Sequence, residues 1–390
     1  MAINADRKHA AATLTGEMDV PRMKWNLESI EIDGFKSIRE TRLSLKRLNL
    51  MIGANGAGKS NLIAAFAFLN QMVEGRLQAH IAKKGGAATF LHNGPKHTDA
   101  IRLKVNFGSV ANANSYETRL EFAQGDTLFF ASEESFFQDR TRFDRPYSVP
   151  LGSGHRESKL IESAKNKKVA KYVLDALQSW TVYHFHDTSD RAAIKRQGKI
   201  DDNEELRPDA SNLAAFLFRL KETEESFYRR VVAAIRQVAP FFNDFRLRPD
   251  RLRKEEIKLE WTERDSDVYF DAHALSDGTL RFICLATLLL QPHPPSLILI
   301  DEPELGLHPY AIHQLAALFR SAAKRTQILV ATQSVTLMNQ FEPDDVIVVD
   351  RTDGQSTFDR ITAKEIEAWT DNYALGELWE KAVLGGRPTR

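Results

Sequence analysis

Three short segments carry residue types that handle phosphate. Gly53–Ser60 reads Gly-Ala-Asn-Gly-Ala-Gly-Lys-Ser, which fits the spacing Gly-x-x-x-x-Gly-Lys-Ser/Thr. Glycines so placed let successive backbone N–H groups curl around an anion. Lys59 sets a positive charge against the β- and γ-phosphates, and the Ser60 hydroxyl is a ligand for Mg2+. The cradle is read as Gly53, Asn55, Gly56, Ala57, Gly58, Lys59, Ser60 and Asn61, and its ligand as ATP. A second segment, Leu297–Glu304, delivers Asp301 and Glu302 at the end of four apolar residues. Asp301 is suited to hold Mg2+ through water, and Glu302 to polarise the attacking water. A strand capped by solvated acids would look the same. The phosphate loop upstream favours the chemical reading. The third segment is Leu275–Thr279, Leu-Ser-Asp-Gly-Thr, where Ser276 offers a hydroxyl and Gly278 a closely approachable backbone at a helix start. Alone it could be a plain helix cap; its place between the other two raises it.

Elements must position these groups. Leu48–Ile52 is a short apolar run feeding the glycine-rich loop, and the segment from Asn61 to Val73 has helical spacing. Leu297–Ile300 reads as a buried parallel strand, followed by helix, strand Ile328–Ala331, and a last strand Val346–Val349. Upstream, Leu27–Ile32 and Thr41–Leu45 alternate as strands. Residues 99–137 alternate repeatedly, which predicts antiparallel strands turning at Gly108 and at Gly125–Asp126. Residues 155–177 are lysine-rich and helix-compatible, Thr181–Phe185 reads as a strand, 189–209 as a polar loop, and 211–238 as one helix ended by Pro240. Lys258–Trp261 and Val268–Phe270 are two further strands.

The order phosphate loop, Leu-Ser-x-Gly, Leu-Ile-Leu-Ile-Asp-Glu, polar strand end resembles that of ABC ATPases. Gly34–Glu40 (GFKSIRE) before the loop, and Asp301–Pro309 (DEPELGLHP), resemble the RecF/SMC-like branch and the overcoming-lysogenization-defect ATPase heads. YHFHDTSD, RPDASNLAAFLFRL, LSDGTLRFICLATLLLQP and LGELWEKAVLGGRP resemble a bacterial family of AAA/RecF-like ATPases. The likeness covers most of residues 25–388. It implies an α/β fold: an ABC-type ATPase head with a mixed and antiparallel β lobe, a parallel core sheet and an inserted helical lobe. The expected division is a disordered leader over 1–24, an N-terminal half of the head over 25–150, an inserted mainly helical lobe over 151–260, and a C-terminal half over 261–390. No sustained heptads occur, so no long coiled coil is expected.

The resemblance further implies a head-to-tail homodimer across ATP, in which Ser276 and Gly278 of one copy close over the loop of another. Two positions depart from the family pattern. Asp277 stands where the signature usually has glycine, and Gln333 where the switch usually has histidine. Glutamine can hydrogen-bond a phosphate or a water but takes no proton at neutral pH. The expected activity is therefore ATP hydrolysis that is slow or partner-stimulated, catalysed by Lys59, Glu302 and Gln333. Gln333 could instead simply satisfy a strand end.

Other residues have two readings. His308 is either a catalyst or a shaper of the subunit contact. His184 and His186 alternate and could share a metal, but no third ligand is evident. Asp187 is a weak candidate near the γ-phosphate. Lys36 and Arg39 are either nucleotide contacts or solvated charges. The basic stretches 156–171 and 246–258 could meet nucleic-acid phosphate, but both contain acids and read equally as solvated faces.

Composition limits the partners. Lys+Arg and Asp+Glu are both 53, so no whole-chain charge draws it to nucleic acid or membrane. The lone Cys284 lies in an apolar run and reads as a small buried hydrophobe. No signal peptide and no span of roughly 20 apolar residues is found, so a cytoplasmic protein is expected, away from membranes. By the resemblance, the dimer controls DNA or an effector protein, in repair or phage defence. About 40 residues follow the last head strand, fewer than a nuclease domain needs. By analogy with the related ATPases, which carry a TOPRIM nuclease or work beside one, the resemblance leaves a TOPRIM nuclease in trans as one reading, which the sequence itself does not show. The rival from another class is an ATP-binding scaffold or sensor with negligible turnover. A transporter subunit is disfavoured by GFKSIRE, DEPELGLHP, Gln333 and the long insert.

Overall fold

The computed structural model describes residues 26–364, 366, 373–381 and 383–385. The leader expected over 1–24, and Ala382 and residues 386–388 of the last quoted segment, lie outside them. Contacts divide the described chain into two compact units. One comprises Tyr183–Pro294 and Pro303–Thr326, and the other the remaining described residues.

The larger unit contains two six-stranded sheets. In the first, Leu48–Ile52 (β1), Leu297–Asp301 (β2), Gln327–Thr332 (β3) and Val346–Thr352 (β4) lie in the order β4-β1-β3-β2. All three pairings among them are parallel. Gln355–Arg360 and Trp180–Tyr183 complete the two edges. Both β1 and β3 are buried at every position, as strands covered on two faces must be. The polar members inside are satisfied: Asn49 Nδ2 donates to Lys46 O and Ile328 O, and Gln327 Nε2 to Leu27 O and Lys46 O. Because β1, β2 and β3 run parallel, their C-terminal ends, where the glycine-rich loop, the Asp301–Glu302 pair and Gln333 emerge, share one edge.

The second sheet is antiparallel. It orders Ile38–Ser44, Leu27–Phe35, Ala100–Gly108, Asn112–Ala123, Thr127–Asp139 and Tyr147–Gly152 side by side. Its turns fall at the expected glycines, with Gly125 and Asp126 both at positive φ. The helix Lys59–Val73 (α1) buries Leu62, Phe66, Phe68, Leu69 and Met72 in one apolar core shared with strands of both sheets.

The smaller unit is mainly helical. The helices Asp277–Leu290 (α2) and Pro309–Ala322 (α3) belong to it, and every residue of α2 from Leu280 to Leu290 is buried. The single helix expected over 211–238 is two, Leu213–Thr223 and Glu225–Val238. Glu224 leaves the helical backbone, at φ −142° and ψ 52°, and its carboxylate accepts from Arg219 Nη1 at 3.2 Å. The strand expected over Thr181–Phe185 is Trp180–Tyr183, because His184 N donates to Pro208 O and leaves the ladder. Among the described residues the helices are short, with no long coiled coil, and none is long and apolar enough to cross a membrane.

Candidate nucleotide site

The glycine-rich loop leaves the end of β1 and enters α1. Gly58 has φ +121°, and a Cβ there would stand 2.1 Å from Ser356 Oγ, so only glycine fits. A small relay braces this point. Asn61 Nδ2 donates to Ser37 Oγ at 2.7 Å, the Ser37 and Ser356 hydroxyls are 2.7 Å apart, and Ser356 Oγ donates to Ala57 O at 2.6 Å. Buried Lys59 curls its ammonium onto the loop, donating to Gly53 O at 2.7 Å and Ala54 O at 3.0 Å.

Ser60 Oγ donates to Asp301 Oδ2 at 2.7 Å, which joins the loop to the end of β2. A hydroxyl and a carboxylate are hard oxygen donors, and Mg2+ characteristically takes one or two of these alongside water and phosphate. The donor set therefore fits Mg2+.

Glu302, the residue after β2, has φ +42°. That backbone is uncommon for a residue with a side chain and is typically kept where function needs it. Its N–H donates to Ala331 O of β3 at 2.7 Å, and its Oε1 accepts a short bond from Gln333 Nε2. The same Gln333 nitrogen donates to Asn55 Oδ1 at 2.6 Å. Gln333 therefore links the acidic strand end to the phosphate loop. Ser60 with Asp301, and Asn55 with Gln333 and Glu302, form two hydrogen-bonded groups that each tie the loop to a strand end.

In the smaller unit, Ser276 caps α2, its Oγ accepting from Thr279 N at 3.2 Å. A Cβ on Gly278 would lie 2.3 Å from Gly306 O, so the start of α2 packs directly on the Leu305–Leu307 turn. Buried Arg281 fastens the same turn. Its guanidinium donates to Phe185 O at 3.0 Å, to His186 O at 3.2 Å, and to Leu305 O in a short bond. Burial pulls its pKa down, with Asp277 acting against that.

The ambiguous residues resolve differently. His308 is the cap of α3, with Nδ1 accepting from Tyr310 N, and Pro309 follows at the first turn. Lys36 places its ammonium 5.5 Å from the Phe90 ring centroid, and burial lowers its pKa, helped by Lys84. Arg39 is exposed. Asp187 accepts from the Ser189 hydroxyl and N–H, bonds that hold its carboxyl below the usual range. The His184 and His186 rings are 6.4 Å apart. No cluster of three or more His, Cys, Asp or Glu able to hold a metal occurs among the described residues. Cys284 is buried, and burial pushes its thiol up. Both basic stretches carry acids against their cations, as in Lys159–Glu162 at 3.0 Å and Arg253–Glu256 at 2.9 Å.

Sequence reasoning missed Ser37, Ser356 and Arg281. Ser37 lies inside GFKS, and Arg281 breaks an otherwise apolar helix, which is a readable signal. Ser356 sits in no motif and is placed only by the antiparallel return of Gln355–Arg360 along β4.

Comparison with known proteins gives the setting. Residues 48–339 match the AAA_21 family, described as "AAA domain, putative AbiEii toxin, Type IV TA system". The Old nuclease of Escherichia phage P2 is 21% identical over 373 residues, an alignment covering 88% of this chain and 62% of that protein, so the chain spans less than two thirds of that relative's length. An Smc head bound to the C-winged helix domain of ScpA superimposes with TM-score 0.59 at 17% identity, covering 88% of this chain and 99% of that one. An Smc head with an extended coiled coil, from Pyrococcus furiosus, gives 0.54 at 16% identity, covering 89% and 99%. At these identities the two structures show a shared fold. The family match and that fold agree with the motif order: the chain belongs to the AAA_21 family and has the fold of an ABC-type, Smc-like ATPase head.

Proposed function

We propose that this head binds and hydrolyses ATP between two copies of itself, and that the cycle of joining and parting is a switch acting on DNA or on an effector protein. The observation that carries the reading is the bonded set around Gln333, which ties Glu302 to Asn55 while Ser60 meets Asp301. Loop, metal ligands and water-orienting carboxylate are thereby pre-positioned. Lys59 and the loop amides bind the phosphates. Ser60 and Asp301 hold Mg2+, which supplies charge neutralisation on the phosphate oxygens. Glu302 orients the attacking water and accepts its proton, and Gln333 fixes the Glu302 carboxylate against the loop. Gln333 takes no proton, which favours slow or partner-dependent turnover.

Ser276 and Gly278 start a helix whose N-terminal dipole suits an anion, and in this reading they serve the partner copy's nucleotide. Leu305, in the turn that packs on that helix start, and Tyr310, in the first turn of α3, are each 49% exposed and supply apolar surface for the subunit contact. The similarity to the Old nuclease favours a nucleic-acid setting, with a nuclease acting in concert with the head. Repair and phage defence are both compatible roles.

The test is sedimentation of Glu302→Gln with and without ATP and Mg2+, alongside steady-state phosphate release by the unmodified chain with and without DNA. We expect an ATP-dependent dimer of the variant, and phosphate release that Lys59→Ala abolishes. A monomer under all conditions would sink the proposal. A dimer whose parent releases no phosphate, with DNA or without it, would favour the rival reading, an ATP-binding scaffold; the engagement of Glu302 by Gln333 is the observation on that side.

A further inference from the structure

The polar stretch 189–209 hides a lysine. Lys195 ends the short 3-10 turn Ala193–Lys195, and its side chain is only 4% exposed. Lysines are rarely buried unless paired. Its ammonium lies 3.9 Å from Asp190 Oδ1 and 4.0 Å from Asp277 Oδ1. His273 Nδ1 approaches the same Asp190 oxygen at 3.8 Å. Asp277 itself is 66% exposed, at the first position of α2, between Ser276 and Gly278.

Asp277 poses a physical problem. A carboxylate in the first turn stabilises the helix. In the reading proposed above, however, that turn must also receive a triphosphate, and like charges brought together across an interface are costly. We infer that Lys195 is a positioning residue for the signature: it holds the Asp277 carboxylate to one side and cancels its charge, so that an acidic signature can still accept the partner copy's phosphates. Asp190, with its Oδ1 3.9 Å from the same ammonium, is a second carboxylate beside the lysine. The inference rests on the dimer reading. It adds that signature and buried cation work as a pair, a residue outside every phosphate-binding motif of the sequence.

The experiment reads ATP-dependent self-association by sedimentation, with all variants made in the Glu302→Gln background. Lys195→Met leaves Asp277 uncompensated and should weaken the ATP-dependent dimer by about tenfold or more. Adding Asp277→Asn to it should restore association to within about threefold of the parent, which loss of lysine packing alone would not allow. Asp277→Asn alone changes only an exposed side chain, so it folds whatever becomes of the lysine variant. It should tighten the dimer by about threefold, because the helix start then carries no carboxylate to oppose the partner's phosphates. A Lys195→Met dimer as tight as the parent's, a double variant no better than Lys195→Met, or an Asp277→Asn dimer unchanged in affinity would each overturn the inference. If the Glu302→Gln parent stays monomeric, the dimer reading fails and the lysine's role falls with it. If the parent dimerises and the lysine variants behave like it, the lysine inference alone fails.

Discussion

Replacing Gly58 with alanine puts two separable loads on the phosphate loop. The backbone there has φ +121°, a conformation that costs a residue with a side chain about 1–3 kcal/mol. The new Cβ would also stand 2.1 Å from Ser356 Oγ and 2.7 Å from Ser356 Cβ, and overpacking of that kind costs about 1–3 kcal/mol more. Stiffening of the unfolded chain offsets about 0.4–1 kcal/mol. The net is roughly 3 kcal/mol, and if it appears as lost ATP affinity it is on the order of a hundredfold in Kd. Equilibrium titration with a fluorescent ATP analogue measures that, and thermal unfolding catches any part that appears as stability instead. Ser356→Gly in the Gly58→Ala chain removes the steric load and leaves the torsional one. It should recover about half of the loss, less about 1 kcal/mol for the bond from Ser356 to Ala57 O. Binding and melting of Gly58→Ala that match the parent would refute the reasoning. So would a double variant whose loss is simply the sum of the two single losses.

Two further substitutions probe the rest of the site. Gly278→Ala would bring a Cβ within 2.3 Å of Gly306 O, a backbone atom that cannot rotate away; ATP-dependent association should fall at least tenfold, measured by light scattering, with melting lowered by a few degrees. Gln333→Ala removes the donor shared by Glu302 and Asn55, and phosphate release should drop about 10- to 100-fold at saturating ATP, with Gln333→Glu at least as slow because it sets two carboxylates together.

Most of the site was legible because its chemistry is local. The loop Gly53–Ser60 and the acids Asp301 and Glu302 are contiguous in sequence, and an apolar strand before each fixes where they emerge. Gln333 could be placed for the same reason, at the end of β3, although its two hydrogen-bond partners could not. The antiparallel strands showed through period-two alternation, which holds because one face of each is buried. What escaped depends on contacts distant in sequence. Ser356 meets Ser37 and Ala57 only because a return strand along β4 carries it there, and nothing in its neighbours signals this. Glu224 divides the expected helix over 211–238 without a glycine or proline to mark the break. Lys195 lay in a stretch read as a polar loop, because burial of a single lysine leaves no periodic trace. His308 was left open in sequence between catalyst and contact residue; its ring nitrogen caps α3.

The central claim is that each ATP is held between the loop of one copy and the signature of another. Mixing two defective variants tests it most directly. Lys59→Ala lacks the loop cation and Ser276→Arg blocks the signature, so neither should form an ATP-dependent dimer alone. One of each contains a single intact composite site. With donor and acceptor labels on the two variants, ATP and Mg2+ should produce energy transfer in the mixture and none in either variant labelled both ways. A mixture as silent as its components, or a single variant that associates as well as the mixture, would contradict the account.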